Sequence, residues 1–341
     1  MILYFLIFFL LAFFTLFKSE KNESWIFVIT GILLFLLAAF RNSELDRDYL
    51  GYIEYYNAVI NNSFSRIEPS FILISKMIDK LFDNNLLLFI IYAFLGVSLK
   101  FYAISKLTNL RLLSSLIYFS SFFLLFEMTQ IRVGVATGLL LLSIVPIKER
   151  KLGLFLIIAS LAFFFHYSAI VIFPLYFLKG DIINLKFYVI LIPIAYLIYY
   201  LEVNLFFMTK IITIPLIQIK MDSYYYKASI NNNINILNFV QLSRIVLAYL
   251  FLWKWQLITE TNAFGIILIK IYVIALFIFV AFANVPTISS RVSEFLLIVE
   301  IILIPFLYII LKPKYLSHSV VIGIGLAFLS FSMFYTKLFT F

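Results

Sequence analysis

Residues 264–283 read FGIILIKIYVIALFIFVAFA, an apolar run interrupted by a single lysine. About 20 such residues, wound as an α-helix, cross the hydrocarbon core of a bilayer. The whole chain shares this character, because 64% of its 341 residues are hydrophobic and only 13% are charged. A water-soluble core cannot bury so much apolar surface, and disorder requires low hydrophobicity. The sequence therefore predicts an all-α, polytopic integral membrane protein and excludes a soluble enzyme.

Comparable apolar runs recur along the chain and predict about twelve membrane spans within one transmembrane domain covering residues 1–341. They lie near residues 1–17, 25–40, 86–106, 112–127, 129–147, 152–166, 168–178, 187–203, 236–253, 264–283, 291–311 and 316–336. The first run has neither a charged leading region nor a small-residue cleavage site, so we interpret it as a span rather than a removable signal.

The net charge of +9 is concentrated in short loops that alternate with the other loops along the chain. By the positive-inside rule these loops, which carry Lys100, Lys106 and Arg111 among other basic residues, are cytoplasmic. Both termini are then expected outside. Because the excess charge serves orientation, it does not indicate nucleic acid as a partner.

Two segments, 41–85 and 204–235, are too polar to span the membrane and are both expected on the outer face. Within the first, residues 68–83 have the periodicity of an amphipathic helix with a proline in its first turn. Its predicted apolar face consists of Phe71, Ile74, Ile78 and Leu81, and its predicted polar face of Ser75, Lys76, Asp79 and Lys80. We expect this helix either to lie on the outer membrane interface or to dock on the protein itself.

Arginine is concentrated on the side opposite to most of the lysines. Six of the eight arginines are expected on the outer face, namely Arg41, Arg47, Arg66, Arg132, Arg244 and Arg291. Orientation requires no cations there, whereas a guanidinium group is a permanently charged fork suited to phosphate. Arg244 would lie about 12 Å into its span, where a charge normally faces a cavity or a partner. Local pairing with outer acids such as Asp46, Asp48 and Glu294 is the alternative interpretation.

The outer segments also contain candidate catalytic groups. His166 follows three phenylalanines at the outer end of a span, where it either makes a structural hydrogen bond or acts as a general base near neutral pH. Asp46 and Asp48 form an Asp-x-Asp pair whose oxygens could hold Mg²⁺ or Mn²⁺ on a diphosphate. Arg47 can supply the same positive charge, so we favour the absence of a cofactor over a metal at this pair.

Tyrosines of the outer segments are candidates for sugar binding. Tyr49, Tyr52 and Tyr56 have helical spacing and would share one face, where they either stack on sugar rings or belong to an interfacial aromatic belt. Tyr225 lies between two further tyrosines in the second outer segment, which is either a sugar-binding flap or a plain loop.

Five short motifs, in this order, resemble those of the EpsG family of polysaccharide polymerases. They are Phe40-Arg41 with Asp48-Tyr49 and Tyr52, Glu68-Pro69-Ser70-Phe71, Gln130-Ile131-Arg132-Val133-Gly134-Val135-Ala136, Phe165-His166-Tyr167-Ser168, and Ser290-Arg291. Together they cover about residues 40–300. The loop before Asp48 lacks the family's usual glycine, so either Asp46 or Asp48 could be the functional acid.

The resemblance implies a Wzy-like polymerase of O-antigen, capsule or exopolysaccharide, with a GT-C-like glycosyltransferase architecture. Such enzymes act on the outer face of the bacterial inner membrane. Their donor and acceptor are oligosaccharides linked to undecaprenyl diphosphate, and a chain-length regulator protein is a further expected partner besides the bilayer.

The outer residues and the resemblance together give hypothetical roles. The diphosphate would be bound by Arg41, Arg132, Arg244 and Arg291. The acceptor hydroxyl would be activated by His166, with Asp46, Asp48 and Glu68 as competing bases. The sugars would be contacted by Tyr49, Tyr52, Gln130 and Tyr225. Two other functions stay open: an O-antigen ligase, which typically carries a larger outer domain, and a flippase for lipid-linked sugars, which needs cations along a path through the membrane.

Overall fold

A computed structural model describes residues 1–16, 20–42, 46, 48–63, 67–82, 84–201 and 234–336. Within these ranges the chain is helical and has no β-strand, which confirms the predicted all-α class. In chain order the elements are α1 (Ile2–Phe14), α2 (Glu20–Ala39), α3 (Tyr49–Ile60), α4 (Pro69–Phe82), α5 (Leu86–Leu107), α6 (Arg111–Tyr118), a π-helical segment (Phe119–Thr129), α7 (Ile131–Glu149), α8 (Leu152–Phe165), a 3-10 segment (Tyr167–Phe177), α9 (Leu185–Tyr200), α10 (Phe239–Trp253), α11 (Trp255–Thr261), α12 (Gly265–Ala281), α13 (Pro286–Leu297), α14 (Glu300–Leu303), a 3-10 turn (Ile304–Phe306), α15 (Leu307–Ile310) and α16 (Lys314–Phe334).

Among the described residues, six helical runs are long and apolar enough to cross a membrane, which confirms an integral membrane protein. They are Asn22–Ala39, Leu86–Leu107, Arg111–Thr129, Ile131–Glu149, Pro286–Ile310 and Lys314–Phe334. The same described ranges contain six further apolar helices that are shorter, with 10–17 residues each. All the predicted apolar runs overlap one of these helices, but the count of about twelve spans and the GT-C-like architecture stay predictions.

The chain divides into two compact units, of which the first comprises Met1–Tyr176 and Glu300–Phe341. In its interior α5 packs against α2 and α7, and α7 packs against α8. Gly138 allows α5 and α7 to approach closely, because a Cβ at this position would lie 2.8 Å from Cβ of Leu99. Small residues are the usual means by which membrane helices come into such contact.

The amphipathic segment forms α4 as predicted, but its faces differ from the expectation. Phe71 and Ile78 are buried, yet Ser75 from the predicted polar face is fully buried, and Leu81 from the predicted apolar face is 62% exposed. The reason is that α4 docks on α3, α5 and α8. A small serine fits such a contact, whereas an apolar side chain that faces away from the unit is compatible with surrounding lipid.

The second unit comprises Phe177–Val299. Within it α12 packs against α9, α10 and α13. Lys270, the single charge of the run 264–283, donates from Nζ to the backbone carbonyls of Lys179 (2.6 Å) and Ile182 (2.5 Å). The lysine inside an apolar helix therefore stabilises the chain segment before α9. Most of the predicted second outer segment, including Tyr225, lies outside the described residues.

Candidate functional site

Glu68 is the centre of the candidate site. Its side chain is 3% exposed, and its Oε2 atom forms an ion pair with Nη1 of Arg132. Its other oxygen, Oε1, lies 3.2 Å from Nδ1 of His166. Three residues from three separate motifs thus come together around one buried carboxylate.

Local structure fixes where each of these side chains lies. Glu68 immediately precedes α4, and its backbone carbonyl accepts from the amide of Phe71 at 3.0 Å. Arg132 is the second residue of α7, and His166 follows the last residue of α8. Because α7 and α8 pack together and are joined by only two residues, they are antiparallel. The start of α7 and the end of α8 therefore lie at the same end of the pair.

The guanidinium of Arg132 is surrounded by aromatic rings. Its central carbon lies 5.5 Å from the ring centroids of Tyr52, Tyr55 and Phe71. Rings at this distance stabilise a cation through their negative faces. The side chain of Arg132 is 17% exposed, so part of the guanidinium can still reach a ligand. An oriented, partly accessible arginine is suited to an anionic group such as phosphate.

A second ion pair lies in the first outer segment. Arg41 donates from Nε to Oδ2 of Asp46 at 3.2 Å. Its Nη1 atom donates to the backbone carbonyls of Ala38 (3.1 Å) and Glu127 (3.4 Å). The other oxygen of Asp46 accepts from the backbone amide of Asp48 at 2.9 Å. The side chain of Arg41 is 1% exposed, so in this geometry it supports the loop rather than offering donors to a ligand.

Burial and charge act in opposite directions on this pair. Burial raises the pKa of Asp46 above its usual value, although the neighbouring Arg41 lowers it. Burial likewise lowers the pKa of Arg41, and Asp46 counteracts that shift. Within the part of the chain that the structure describes, no three His, Cys, Asp or Glu residues are grouped closely enough to hold a metal ion. Metal binding at Asp46 and Asp48 stays an untested alternative.

The candidate sugar-binding residues differ in their accessibility. Tyr49 is partly exposed and stacks on Phe89, with ring centroids 4.3 Å apart and an angle of 14° between the planes. Tyr52 and Tyr56 share one face of α3, as predicted, but that face is buried. Tyr55, which the sequence did not single out, is 46% exposed beside Arg132.

Gln130 lies in the turn between the π-helical segment and α7, and it is partly exposed. Its backbone amide donates to the backbone carbonyl of Leu125 at 2.8 Å, and its backbone carbonyl accepts from the backbone amide of Gly134 at 2.9 Å. The backbone of Gln130 therefore joins the two helical segments, and sugar binding by its side chain stays a prediction.

A buried ion pair close to this turn was missed from the sequence. Lys100 was expected in a cytoplasmic loop, but it lies inside α5, is fully buried and donates from Nζ to Oε1 of Glu127 at 2.5 Å. The expectation was wrong because a lysine near the end of an apolar run was counted as a loop charge. The available signal was Glu127, a carboxylate in the neighbouring span that requires a buried partner.

A model of the EpsG family matches residues 24–340. The chain belongs to the EpsG family. Its members are Wzy-like polysaccharide polymerase-type proteins, and this EpsG-family protein is thus a membrane protein of polysaccharide biosynthesis. No curated protein and no solved structure matches the chain.

The other two candidate arginines of this EpsG-family protein belong to the second unit, whereas Arg132 and His166 belong to the first. Arg244 lies in α10 and is half-buried, and its backbone carbonyl accepts from the hydroxyl of Tyr272 at 3.3 Å. Arg291 lies in α13 and is exposed. Joint binding of one diphosphate by Arg132, Arg244 and Arg291 remains a prediction.

Proposed function

We propose that this EpsG-family protein is a glycosyltransferase that polymerises oligosaccharide repeat units linked to undecaprenyl diphosphate. The reaction would take place on the outer face of the bacterial inner membrane. The single observation that carries the proposal is the contact of one buried carboxylate, Glu68, with both Arg132 and His166. Membership of a family of polymerase-type membrane proteins supports the same conclusion.

The proposed reaction transfers the growing glycan from its lipid carrier to the next lipid-linked repeat unit. The bond between the anomeric carbon and the diphosphate oxygen breaks, and its electron pair leaves with undecaprenyl diphosphate. A new bond forms between that carbon and a hydroxyl oxygen of the acceptor. The hydroxyl proton passes to a base in the protein.

Arg132 would bind the diphosphate of the donor and stabilise the charge that grows on it as the bond breaks. Such stabilisation is effective when the guanidinium group is held in place before the reaction. Glu68 and the rings of Tyr52, Tyr55 and Phe71 provide that restraint. Arg291 and Arg244 are proposed as further diphosphate contacts, and Arg41 as a support of the loop that carries Asp46.

His166 would act as the base. An ionised Glu68 beside Nδ1 favours the tautomer with its proton on that nitrogen, so Nε2 is the nitrogen that would accept the proton of the acceptor hydroxyl. Glu68 would then be a positioning residue for both His166 and Arg132. The competing assignment makes Glu68 itself the base. Asp46 is less suited to this role because it contacts Arg41, whose side chain is 1% exposed, whereas Glu68 contacts Arg132, whose side chain is 17% exposed and can reach a ligand.

The test is replacement of Arg132 in cells that lack the native gene. Arg132→Ala should leave single repeat units on lipid carriers or their final acceptors, since the leaving group loses its cation. The measurement is glycan chain length on a gel at matched protein level. Lys151→Ala is the control, because it removes one exposed positive charge at the opposite end of α7 and α8.

A normal long-chain ladder from Arg132→Ala would overturn the proposal. Other outcomes identify the alternatives. Transfer of finished glycan to lipid A core without polymerisation would indicate a ligase. Movement of labelled lipid across proteoliposomes without longer glycans would indicate a flippase.

A further inference from the structure

Lys100 makes two hydrogen bonds, one on each side of the turn at Gln130, which precedes Arg132 in the first turn of α7. Its Nζ donates to Oε1 of Glu127 at 2.5 Å, before the turn, and to the backbone carbonyl of Gly134 at 2.5 Å, after the turn. The lysine is fully buried, and its Nζ also lies 5.7 Å from the ring centroid of Tyr118. A buried ammonium with two acceptors is costly to move, because each displaced contact leaves a charge without compensation.

Two glycines make room for the carboxylate that Lys100 binds. A Cβ at Gly134 would lie 2.9 Å from Oε2 of Glu127 and 2.6 Å from the carbonyl oxygen of Phe126. A Cβ at Gly96 would overlap the same Oε2 atom. The close approach of α5, α7 and the π-helical segment is therefore built around Glu127, and Lys100 holds it together.

The turn needs such an external restraint. It joins a π-helical segment, ending at Thr129, to an α-helix that begins at Ile131, so the regular hydrogen-bond ladder changes there. The backbone carbonyl of Glu127 also accepts a hydrogen bond from Nη1 of Arg41 at 3.4 Å. This bond links the turn to the first outer segment. Arg132 follows the turn directly, so any shift of the turn moves its guanidinium relative to Glu68.

We infer that Lys100 is a positioning residue that holds the start of α7, and with it the guanidinium of Arg132, in place for the leaving diphosphate. This inference rests on the proposed function and adds a residue to it. Lys100 touches neither Glu68 nor Arg132 in the contacts described. It acts through the backbone of Gly134 and the side chain of Glu127.

The experiment compares Lys100→Met/Glu127→Gln with Glu127→Gln alone in purified full-length protein. Glu127→Gln keeps an amide oxygen and the Gly134 carbonyl as acceptors for Lys100. The double variant removes only the lysine donor from that background and leaves no buried charge without a partner. Lys106→Met is the control, because Lys106 is an exposed lysine on the same helix.

We expect kcat of the double variant to fall about 10- to 100-fold below that of Glu127→Gln, as displacement of a catalytic group by about 1 Å would cause. The KM should change little between the two, and the melting temperature of the double variant should be no lower, because Glu127→Gln alone leaves the buried Lys100 ammonium without its carboxylate partner. In an Arg132→Gln background the same lysine replacement should change kcat less than about twofold, because no guanidinium remains to be positioned. Lys106→Met should leave kcat unchanged.

An equal loss of kcat with and without Arg132, or no loss at all, would overturn the inference. A fall in melting temperature that accounts for the lost activity would do so too, since it indicates a purely structural role. Elongation by the wild-type protein tests the proposed function separately. If the wild type does not elongate glycans, binding of undecaprenyl diphosphate still tests the coupling of Lys100 to Arg132. This binding is measured for Glu127→Gln and for Lys100→Met/Glu127→Gln, each with and without Arg132→Gln. If the wild type shows neither property, both proposals fail.

Discussion

At the scale of single residues, the chemistry of the candidate site depends on one carboxylate with two partners. Glu68, Arg132 and His166 were each found from the sequence, since an outer glutamate before a proline, an outer arginine and a histidine after a helix are unusual in an apolar chain. Their convergence could not be predicted, because Glu68 and Arg132 are 64 positions apart and spacing says nothing about contacts over that separation. The ion pair of Arg41 with Asp46 agrees with the alternative interpretation, in which outer arginines pair with nearby acids.

His166 gives a prediction at this scale. His166→Ala should lower kcat by about 10²- to 10⁴-fold, the usual contribution of a general base. The measurement is turnover of lipid-linked repeats by purified protein. Phe163→Ala, a change in an apolar residue of the same helix end, is the control for local packing. Unchanged turnover in His166→Ala would exclude it as the base and leave Glu68 as the candidate.

At the scale of elements, apolar periodicity predicted the helices but not their irregularities. The π-helical segment Phe119–Thr129 reads as an ordinary apolar run, and its contact from Glu127 to Lys100 joins residues 27 positions apart, which spacing cannot reveal. The faces of α4 were misassigned for a related reason. Its pattern was divided into one apolar and one polar face, with docking on the protein left open. In the structure α4 docks on three helices, and these neighbours decide which side is buried.

The motif glycine of α7 gives a prediction at this scale. Gly134→Ala should destabilise the protein by about 1–3 kcal/mol, because the added methyl group would overlap the Phe126 carbonyl and the Glu127 carboxylate. Gly153→Ala is the matched control: a Cβ there meets nothing within 4 Å, so α8 should be unaffected or slightly more stable. The measurement is the melting temperature of both variants in detergent. Equal melting temperatures would contradict the packing described around Glu127.

At the scale of the whole molecule, composition was sufficient to predict a helical membrane protein. The predicted orientation rests on charged loops and stays a prediction. It does not depend on Lys100, because Lys106 near the end of α5 and Arg111 at the start of α6 still flank the same connection. The number of spans could not be obtained in this way, since several apolar helices are shorter than a bilayer is thick. Family membership was indicated by five short motifs, and the match of the family model to residues 24–340 confirms it.

Orientation can be tested directly because the chain contains no cysteine. A single cysteine at exposed Asn61, after α3, should react with a membrane-impermeant maleimide in intact spheroplasts. A cysteine at exposed Asn109, between α5 and α6, should react only after permeabilisation. The reverse pattern would place the candidate site on the cytoplasmic side and would contradict its use of outer-face lipid-linked donors.

The central proposal is that this EpsG-family protein joins lipid-linked repeats at the site formed by Glu68, Arg132 and His166. The most direct measurement is mass spectrometry of products after the purified protein, in proteoliposomes, is given undecaprenyl-diphosphate-linked repeat units. The expected result is a series of longer lipid-linked glycans with one undecaprenyl diphosphate released per linkage, and its loss in Arg132→Gln. An unchanged pool of single repeats with folded wild-type protein, or the same series from Arg132→Gln, would contradict it.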